Sequence, residues 1–327
     1  MPRPSRTRYL SLCGEGQRRS VAEVSPVVLP FRSILCPVDF SDHAQRALRY
    51  AVALAGLGDS LLAVVAVADP LLVDAAAARG VALQGEAAMG ELAVFVAEAT
   101  ASASHPAEPP RVLLRVGRPE EEIGRAAAEQ HADLIVMGTH GLGGYRKMFF
   151  GSTTEKVLRT SPIPVLAVTA SDRDTAPAAD DRPFASLERL LVAVDLGGFA
   201  ESQATLASAF AVEFDVPLLL LHVVAGVQAT SRWQPTLEAQ DRIRVARARQ
   251  ALEKLASELP LEARVELEVV TGRPADEISA LAAERRAGLI VMGLKSPGRK
   301  TDPRPGSIAY RILCLAQVPV LAVPPRE

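Results

Sequence analysis

An internal repeat with a nearly constant spacing is the feature that most constrains the fold of this chain. Four segments of the first copy return in the second copy 155 or 156 residues later. They are the mostly apolar runs 34–39, 134–138 and 163–168 and the Gly-Arg-Pro turn 117–119, which return as 190–195, 289–293, 318–323 and 272–274. A repeat of this length indicates two copies of one domain, and the 327 residues suffice for two hydrophobic cores.

Each copy alternates short apolar runs with helical patterns. In the first copy, runs near 33–38, 61–67, 111–116, 133–137 and 165–168 predict buried strands, and the segments between them predict helices. Apolar strands that alternate with helices predict an α/β fold. We expect two tandem, doubly wound, Rossmann-like parallel sheets.

The composition divides the chain into four parts. Residues 1–30 are rich in arginine and lie outside the repeat, so they predict a disordered tail. Residues 31–170 and 187–327 are the two predicted domains. The polar, proline-containing stretch 171–186 between them lacks periodicity and predicts a linker.

Charge, cysteines and hydropathy narrow the class of protein. The net charge of −2 favours neither nucleic acid nor an anionic membrane as a partner. Cys13, Cys36 and Cys314 have no CxxC spacing, which favours neither a disulfide framework nor a zinc site and fits a reducing cytoplasm. No uncharged apolar run reaches about 18 residues, so no transmembrane helix is predicted and a cytoplasmic location is expected.

A glycine-rich loop follows the fourth strand of the first copy. Gly138, Gly141 and Gly151 follow an apolar run, and the pattern that begins at Ser152 predicts a capping box at the start of a helix. Right-handed crossovers place this loop and Asp39, which ends the first strand, at the same sheet edge. Backbone N–H groups at a helix N-terminus attract anions, phosphates above all. The alternative is an ordinary strand-to-helix loop whose glycines allow tight packing.

The second copy carries a changed version of this loop. Gly293, Gly306 and Ser307 keep their spacing, but Ser296 replaces the second glycine and Tyr310 replaces the capping-box glutamate. Three prolines in the loop remove N–H donors, so we expect a degenerate anion site here. Basic residues in the same loop leave open that an anion binds by another route.

Two further residues of the first copy allow a functional and a structural interpretation. Asp39 suits ribose hydroxyls or a metal-bound water, and its repetition as Asp195 favours that role over a carboxylate that caps the following helix. His140 in the glycine loop belongs to no visible array of catalytic partners. We therefore expect it to contact phosphate or solvent rather than to act in catalysis.

These motifs resemble the universal stress protein family in its tandem two-domain form. The resemblance extends over residues 31–325 and rests on Pro37-Val38-Asp39, on the turn at Gly117, and on the spacing of the loop glycines. That spacing is the pattern of the ATP-binding branch of the family. The resemblance implies strand order 3-2-1-4-5 in each sheet and two domains joined through their last strands.

The family pattern carries over to this chain residue by residue. It implies a nucleotide site in the first copy, with Pro37, Val38, Asp39 and Val67 beside adenine and ribose, Gly138 and Gly141 under ribose and phosphate with Met137 next to them, and Gly151, Ser152 and Thr153 around the phosphates. ATP is the implied cofactor, with Mg²⁺ bridging its phosphate oxygens. In the second copy the positions that match are Asp195, Val223, Gly293, Gly306 and Ser307.

The function expected from these observations is an ATP-binding, nucleotide-dependent regulator of the stress response. The sequence contains no Walker A lysine pattern and no identifiable general base, so at most slow ATP hydrolysis is expected. One alternative is a nucleotide-independent interaction or dimerisation module of the same fold. Another is an enzyme that transfers an adenylyl or phosphoryl group. Protein partners and the pairing of two copies into a homodimer stay open.

Overall fold

The chain is described by a computed structural model over most of its length. The described residues are 9–12, 29–78, 85–101, 108–139, 151–169, 183–184, 187–226, 234–260, 262–294 and 307–325. They form one sheet of eleven strands with helices on both faces. None of the helices in these ranges combines the length and the apolar composition that a membrane span needs.

The strands and helices follow the predicted alternation. The first copy contains β2 (Ser33–Val38), α1 (Asp42–Gly58), β3 (Leu61–Ala68), α2 (Pro70–Ala77), α3 (Gly85–Thr100), β4 (Arg111–Val116), α4 (Pro119–Glu129), β5 (Leu134–Gly138), α5 (Ser152–Thr160) and β6 (Val165–Val168). The second contains β7 (Leu190–Ala193), α6 (Ala200–Glu213), β8 (Leu218–Ala225), α7 (Gln234–Ser257), β9 (Val265–Gly272), α8 (Pro274–Glu284), β10 (Leu289–Gly293), α9 (Ile308–Leu315) and β11 (Val320–Val323). A short strand, β1 (Tyr9–Leu12), precedes both copies.

The strand order confirms the predicted topology. Along the sheet the order is β1-β9-β8-β7-β10-β11-β6-β5-β2-β3-β4, so each copy has the parallel order 3-2-1-4-5. The last strands β6 and β11 pair antiparallel, with Leu166 opposite Leu321. The two predicted sheets are therefore one continuous sheet, joined as the family resemblance implies.

Successive residues of a strand alternate between the two faces of the sheet. In β2, Ile34, Cys36 and Val38 belong to the core under α1, which we call the α1 face. Leu35 belongs to the core under α4 and α5, which we call the α5 face. The thiol of Cys36 is fully buried, and this burial raises its pKa, so Cys36 acts as an apolar core residue.

Local sequence explains where several helices begin. The Ser41 hydroxyl accepts a hydrogen bond from the N–H of Ala44 at 3.1 Å, and Ser41 caps α1 as predicted. Pro119 and Pro274 stand in the first turns of α4 and α8, where a missing N–H costs no helical hydrogen bond.

The N-terminal segment differs from the predicted disordered tail at the residues that the structure describes. Tyr9–Leu12 forms β1, antiparallel to β9, with Leu10 opposite Glu268. Leu29 is buried in the core of the first copy. These parts of residues 1–30 therefore belong to the fold, and β1 pairs with backbone groups of β9 that would otherwise form a sheet edge.

Aromatic side chains connect the two copies beside the sheet. Phe31 of the first copy contacts Phe210 of the second edge-to-face, with ring centroids 5.9 Å apart. Phe184, within the predicted linker, contacts Tyr50 at 4.8 Å and Phe214 at 4.9 Å. The described part of the linker is thus anchored to both copies by ring contacts.

Candidate nucleotide-binding site

The first and fourth strands of the first copy are neighbours. β2 and β5 pair in parallel, with Ile34 opposite Leu134. Asp39 directly follows β2 and Gly138 ends β5, so both lie at the carboxyl edge of the sheet. This is the point at which the strand order reverses, and such points are where α/β sheets bind ligands.

Three of the predicted site residues lie on one face of three neighbouring strands. Met137 is buried on the α5 face, and Val67 packs against the same cluster. Pro37 follows Leu35 by two residues and so lies on the α5 face as well, whereas Val38 lies on the α1 face. Pro37, Val67 and Met137 therefore form an apolar row at the carboxyl edge.

The two ends of the glycine loop meet at this edge. The N–H of Gly151 donates to the carbonyl of Thr139 at 2.9 Å, and the N–H of Thr139 donates to the carbonyl of Val168 at 3.1 Å. These bonds fix the start of α5 beside the ends of β5 and β6. The predicted positions that lie outside the described residues are His140, Gly141, Ser296 and Gly306.

Helix α5 begins without a side-chain cap. Gly151 is its N-cap, and Ser152 is its first residue. The predicted capping box is therefore wrong by one residue, because a box needs the serine at the N-cap. Ser152 is exposed and Thr153 is half-buried in the first turn. The first-turn N–H groups and the positive end of the helix dipole lie at the carboxyl edge, an arrangement that suits an anion.

Gly138 allows α1 to pack closely on the end of β5. A Cβ atom added at Gly138 would lie 2.9 Å from the carbonyl oxygen of His43, in the first turn of α1. A real Cβ cannot approach a backbone atom so closely without a shift of the helix. The interpretation of the loop glycines as packing residues therefore holds for Gly138, whether or not a ligand binds nearby.

The carboxylate of Asp39 is bonded to the cap of α1. Its Oδ1 accepts from the N–H of Ser41 at 3.2 Å and from the Ser41 hydroxyl at 2.5 Å. In the second copy, Oδ1 of Asp195 accepts from the N–H of Gly197 at 2.9 Å. Asp39 thus supports the start of α1, which is the structural alternative for this position, whereas Asp195 supports the turn that precedes α6. Asp39 is also exposed at the sheet edge.

Three buried threonines surround the start of α5, and sequence reasoning missed all of them. Thr139, Thr154 and Thr169 are 0–5% exposed. The hydroxyl of Thr154 donates to the carbonyl of Gly138 at 2.9 Å, which ties α5 to β5. The residues that match them 155 positions later are apolar, namely Leu294, Ala309 and Pro324. A position-by-position comparison of the two copies would therefore have singled out these three threonines.

The start of α9 in the second copy has a different geometry. Its N-cap is Ser307, whose hydroxyl accepts from the N–H of Tyr310 at 3.2 Å. Gln203 is buried beside Gly293, and its side-chain amide occupies the place where a Cβ on that glycine would stand. The residue that matches Gln203 in the first copy is Ala47. A long side chain therefore fills, in the second copy, space that the helix backbone occupies in the first.

The apolar part of the edge is kept in the second copy. Met292 is buried on the face that corresponds to the α5 face, and Val223 packs against the same cluster. They match Met137 and Val67 of the first copy. The two copies therefore differ in the polar part of the edge and in the helix starts.

An ion pair and a cavity lie between α4 and α5. Nζ of Lys156 donates to the Glu120 carboxylate at 2.7 Å, and this hydrogen bond holds the pKa of Glu120 below its usual value. Glu120 also lines a cavity of about 120 Å³. Other lining residues include Ile123, Gly124, Ala127, Ile135, Val157 and Thr160. Among the described residues, no group of three or more His, Cys, Asp or Glu side chains could hold a metal ion.

Comparison with known proteins connects this architecture to one family. A universal stress protein of Thermus aquaticus is 40% identical over 146 residues, which are 42% of this chain and 98% of that protein. One of Mycolicibacterium smegmatis is 27% identical over 299 residues, 90% of this chain and 97% of that protein. The crystal structure of a universal stress protein from Archaeoglobus fulgidus covers 90% of this chain and 98% of its own, with a TM-score of 0.60 and 20% identity, so the two share the fold.

The family profile gives the same result within each copy. The profile of the universal stress protein family matches residues 30–169 and again residues 186–324. Together the two matches span most of the chain and both halves of its repeat. This chain therefore belongs to the universal stress protein family, as a tandem two-domain member.

Proposed function

We propose that the first copy binds an adenine nucleotide, ATP with Mg²⁺, and that the protein is a cytoplasmic, nucleotide-dependent regulator of the stress response. The observation that carries the proposal is the start of α5. Its N-cap Gly151 has no side chain and is held at the carboxyl edge by its bond to Thr139. The apolar row lies along the same edge, so the site suits a ligand with an apolar base and an anionic tail.

Each predicted site residue has a proposed role. The apolar row contacts adenine from the α5 face, while Val38 supports β2 from the other face. Asp39 accepts hydrogen bonds from ribose hydroxyls, and the first-turn N–H groups of α5 bind phosphate oxygens. Gly138 and Gly141 lie under ribose and phosphate, and Gly151, Ser152 and Thr153 surround the phosphates. Mg²⁺ would bridge phosphate oxygens and keep several water ligands, as it does at other nucleotide sites.

Binding with at most slow hydrolysis is part of this proposal. Backbone N–H groups position phosphates, but they do not activate a water molecule. The sequence also lacks the lysine of a Walker A loop. Occupancy of the site, rather than turnover, would then be the signal that partner proteins read.

The sharpest test changes the N-cap of α5. Gly151 has φ −60° and ψ 132°, a backbone conformation that accepts a side chain. Gly151→Asp adds a carboxylate that accepts from the first-turn N–H groups and repels phosphate. ATP–Mg²⁺ affinity, measured by isothermal titration calorimetry, should fall roughly tenfold or more, about 1.4 kcal/mol of binding free energy. The melting temperature should stay the same or rise, because aspartate is a good N-cap.

The matched control makes the same change in the second copy. Ser307→Asp places an aspartate at the N-cap of α9 and should leave ATP affinity at the wild-type value. Equal losses in the two variants would contradict the assignment of the site to the first copy. Wild-type protein that gives neither heat nor a thermal shift with millimolar ATP and Mg²⁺ would contradict nucleotide binding altogether.

A nucleotide-independent interaction or dimerisation module is the second candidate. The observation that favours it is the second copy, where Ser307 caps its own helix and Gln203 fills the space beside Gly293. A surface kept for pairing rather than for a ligand would tolerate both changes. This candidate is preferred if Gly151→Asp abolishes ATP binding and leaves the cellular stress phenotype unchanged.

A further inference from the structure

Thr169 carries a buried hydroxyl that has no hydrogen-bond partner among the residues that the structure describes. The residue is 5% exposed, directly follows β6, and its Oγ1 is among the buried polar atoms without a partner. Most buried side-chain polar atoms in proteins are hydrogen-bonded, and leaving one unpaired costs free energy. The proposed site described above does not use this group.

The position of Thr169 relates this hydroxyl to the start of α5. In β6, Ala167 belongs to the core of the α5 face and Val168 to the core of the α1 face. Thr169 continues this alternation toward the α5 face. The bond from the N–H of Thr139 to the carbonyl of Val168 puts it beside the end of β5, where Gly151 is also bonded.

The second copy lacks both features at once. Pro324 stands where the first copy has Thr169, and the hydroxyl of Ser307 takes up one first-turn N–H of α9. The first copy therefore combines a helix start without a side-chain cap and an unpaired hydroxyl at the neighbouring strand end. Two separate observations thus point to an anionic ligand at the same place.

We infer that the Thr169 hydroxyl is a further ligand-binding group of the first copy and donates a hydrogen bond to the phosphate tail of the bound nucleotide. This inference rests on the proposed function. A hydroxyl both donates and accepts, so it can meet a phosphate oxygen without adding charge. Binding would satisfy a hydroxyl that none of the described residues pairs with, so the hydrogen bond is gained only when the phosphates are present.

The test compares ATP with adenosine on Thr169 variants. Thr169→Val keeps the branched shape and removes the hydroxyl, whereas Thr169→Ser keeps the hydroxyl. For the valine variant, the Kd of ATP–Mg²⁺ should rise roughly tenfold and the Kd of adenosine should stay unchanged, because a hydrogen bond to a charged group is lost. The serine variant should bind ATP within about twofold of wild type. The melting temperature of the free valine variant should be unchanged or higher.

The control variant is Thr160→Val at the other end of α5. Thr160 is exposed, and its hydroxyl bonds to the carbonyl of Lys156, so its loss should leave both affinities unchanged. The inference is overturned if Thr169→Val binds ATP like wild type, if it loses adenosine and ATP affinity equally, or if it lowers only the melting temperature. Failure of the proposed function would be recognised separately, because the wild-type protein itself would then not bind ATP.

Discussion

At the start of α5 the first copy has a glycine N-cap and three buried threonines, whereas at the start of α9 the second copy has a serine N-cap and three apolar residues. The strands beneath these helices are nearly alike, and Met137 and Met292 are buried in the same way. At the helix starts, the difference therefore concerns mainly polar groups, some of which could contact an anion. Residues that both copies share are expected to serve the fold, whereas residues found in one copy only are candidates for contact with a ligand.

Features found in both copies belong to the fold. Phe40 follows Asp39, and Leu196 follows the matching Asp195. Their φ angles are 61° and 57°, a left-handed conformation that costs residues other than glycine about 1 kcal/mol. Because both copies keep this turn, it serves the strand-to-helix connection. A Cβ on Gly117 would lie 2.8 Å from Cγ of Glu122, and the second copy repeats this contact. Neither feature points to a ligand.

The largest expected effect follows from the two glycines that end β5 and β10. Gly138→Ala forces a Cβ against the backbone of His43 and should lower the free energy of unfolding by about 1–3 kcal/mol. Gly293→Ala meets the side chain of Gln203 instead and should cost a similar amount. Urea unfolding of the two variants measures both losses.

The atoms that block an added methyl group are backbone at Gly138 and side chain at Gly293, and a second substitution can distinguish the two cases. Gln203→Ala, which copies Ala47 of the first copy, should restore most of the stability lost in Gly293→Ala. His43→Ala should not restore Gly138→Ala, because the close atom there is a backbone oxygen. Rescue in both copies would mean that α1 does not pack on Gly138 through its backbone.

Most of the fold could be predicted because parallel strands buried on both faces are nearly continuous apolar runs, as in 134–138. Because the repeat contains each strand pattern twice, each strand assignment could be checked independently in the other copy. The strand β1 could not be predicted in this way, since four residues are too few for a pattern and its pairing with β9 is distant in sequence. Tertiary pairing, rather than local propensity, places it.

The candidate site could be predicted only where residues form a spaced or repeated pattern. Gly138 and Gly151 belong to the spaced glycine pattern, Asp39 repeats as Asp195, and all three lie at one sheet edge. The register of the helix start could not be predicted, because glycine and serine are both acceptable N-caps. Thr169 is a single residue after a strand, and its only sequence signal is its replacement by Pro324 in the second copy. That its hydroxyl is buried and has no partner among the described residues is visible only in the folded protein.

The two serines of the helix starts should respond differently to the same substitution. Ser307→Ala removes the acceptor for the N–H of Tyr310 and should lower the free energy of unfolding by about 1 kcal/mol. Ser152→Ala changes no cap and should stay within about 0.5 kcal/mol of wild type. Chemical denaturation measures both changes. Equal losses would show that Ser152 caps α5 after all.

The cavity between α4 and α5 gives a smaller difference between the copies. Val157 lines it, and Ile312 stands at the matching position of the second copy. Val157→Ile should fill part of the cavity and raise the free energy of unfolding by up to about 0.8 kcal/mol, the value of one buried methylene group. Ile312→Val should lower it by about 0.5–1.5 kcal/mol. A loss of stability in Val157→Ile would mean that the cavity cannot take the added methyl group.

The smallest effect concerns the ion pairs that connect the helices of each copy. Lys156 holds the pKa of Glu120 below its usual value of 4.5, so the pair stabilises the fold above that pH and the contribution is lost as the pH falls through the lowered pKa. Glu120→Gln should therefore cost about 0.2–1 kcal/mol at pH 7 and almost nothing near pH 2. In the second copy, Arg311 matches Lys156 and pairs with Asp276, which matches Glu121 rather than Glu120. The side chains of Asp276 and Arg311 are 42% and 44% exposed. Asp276→Asn should therefore cost less at pH 7, because water screens an exposed pair. Unfolding curves at the two pH values measure both differences, and a loss in Glu120→Gln that does not change with pH would assign the contact to packing rather than to charge.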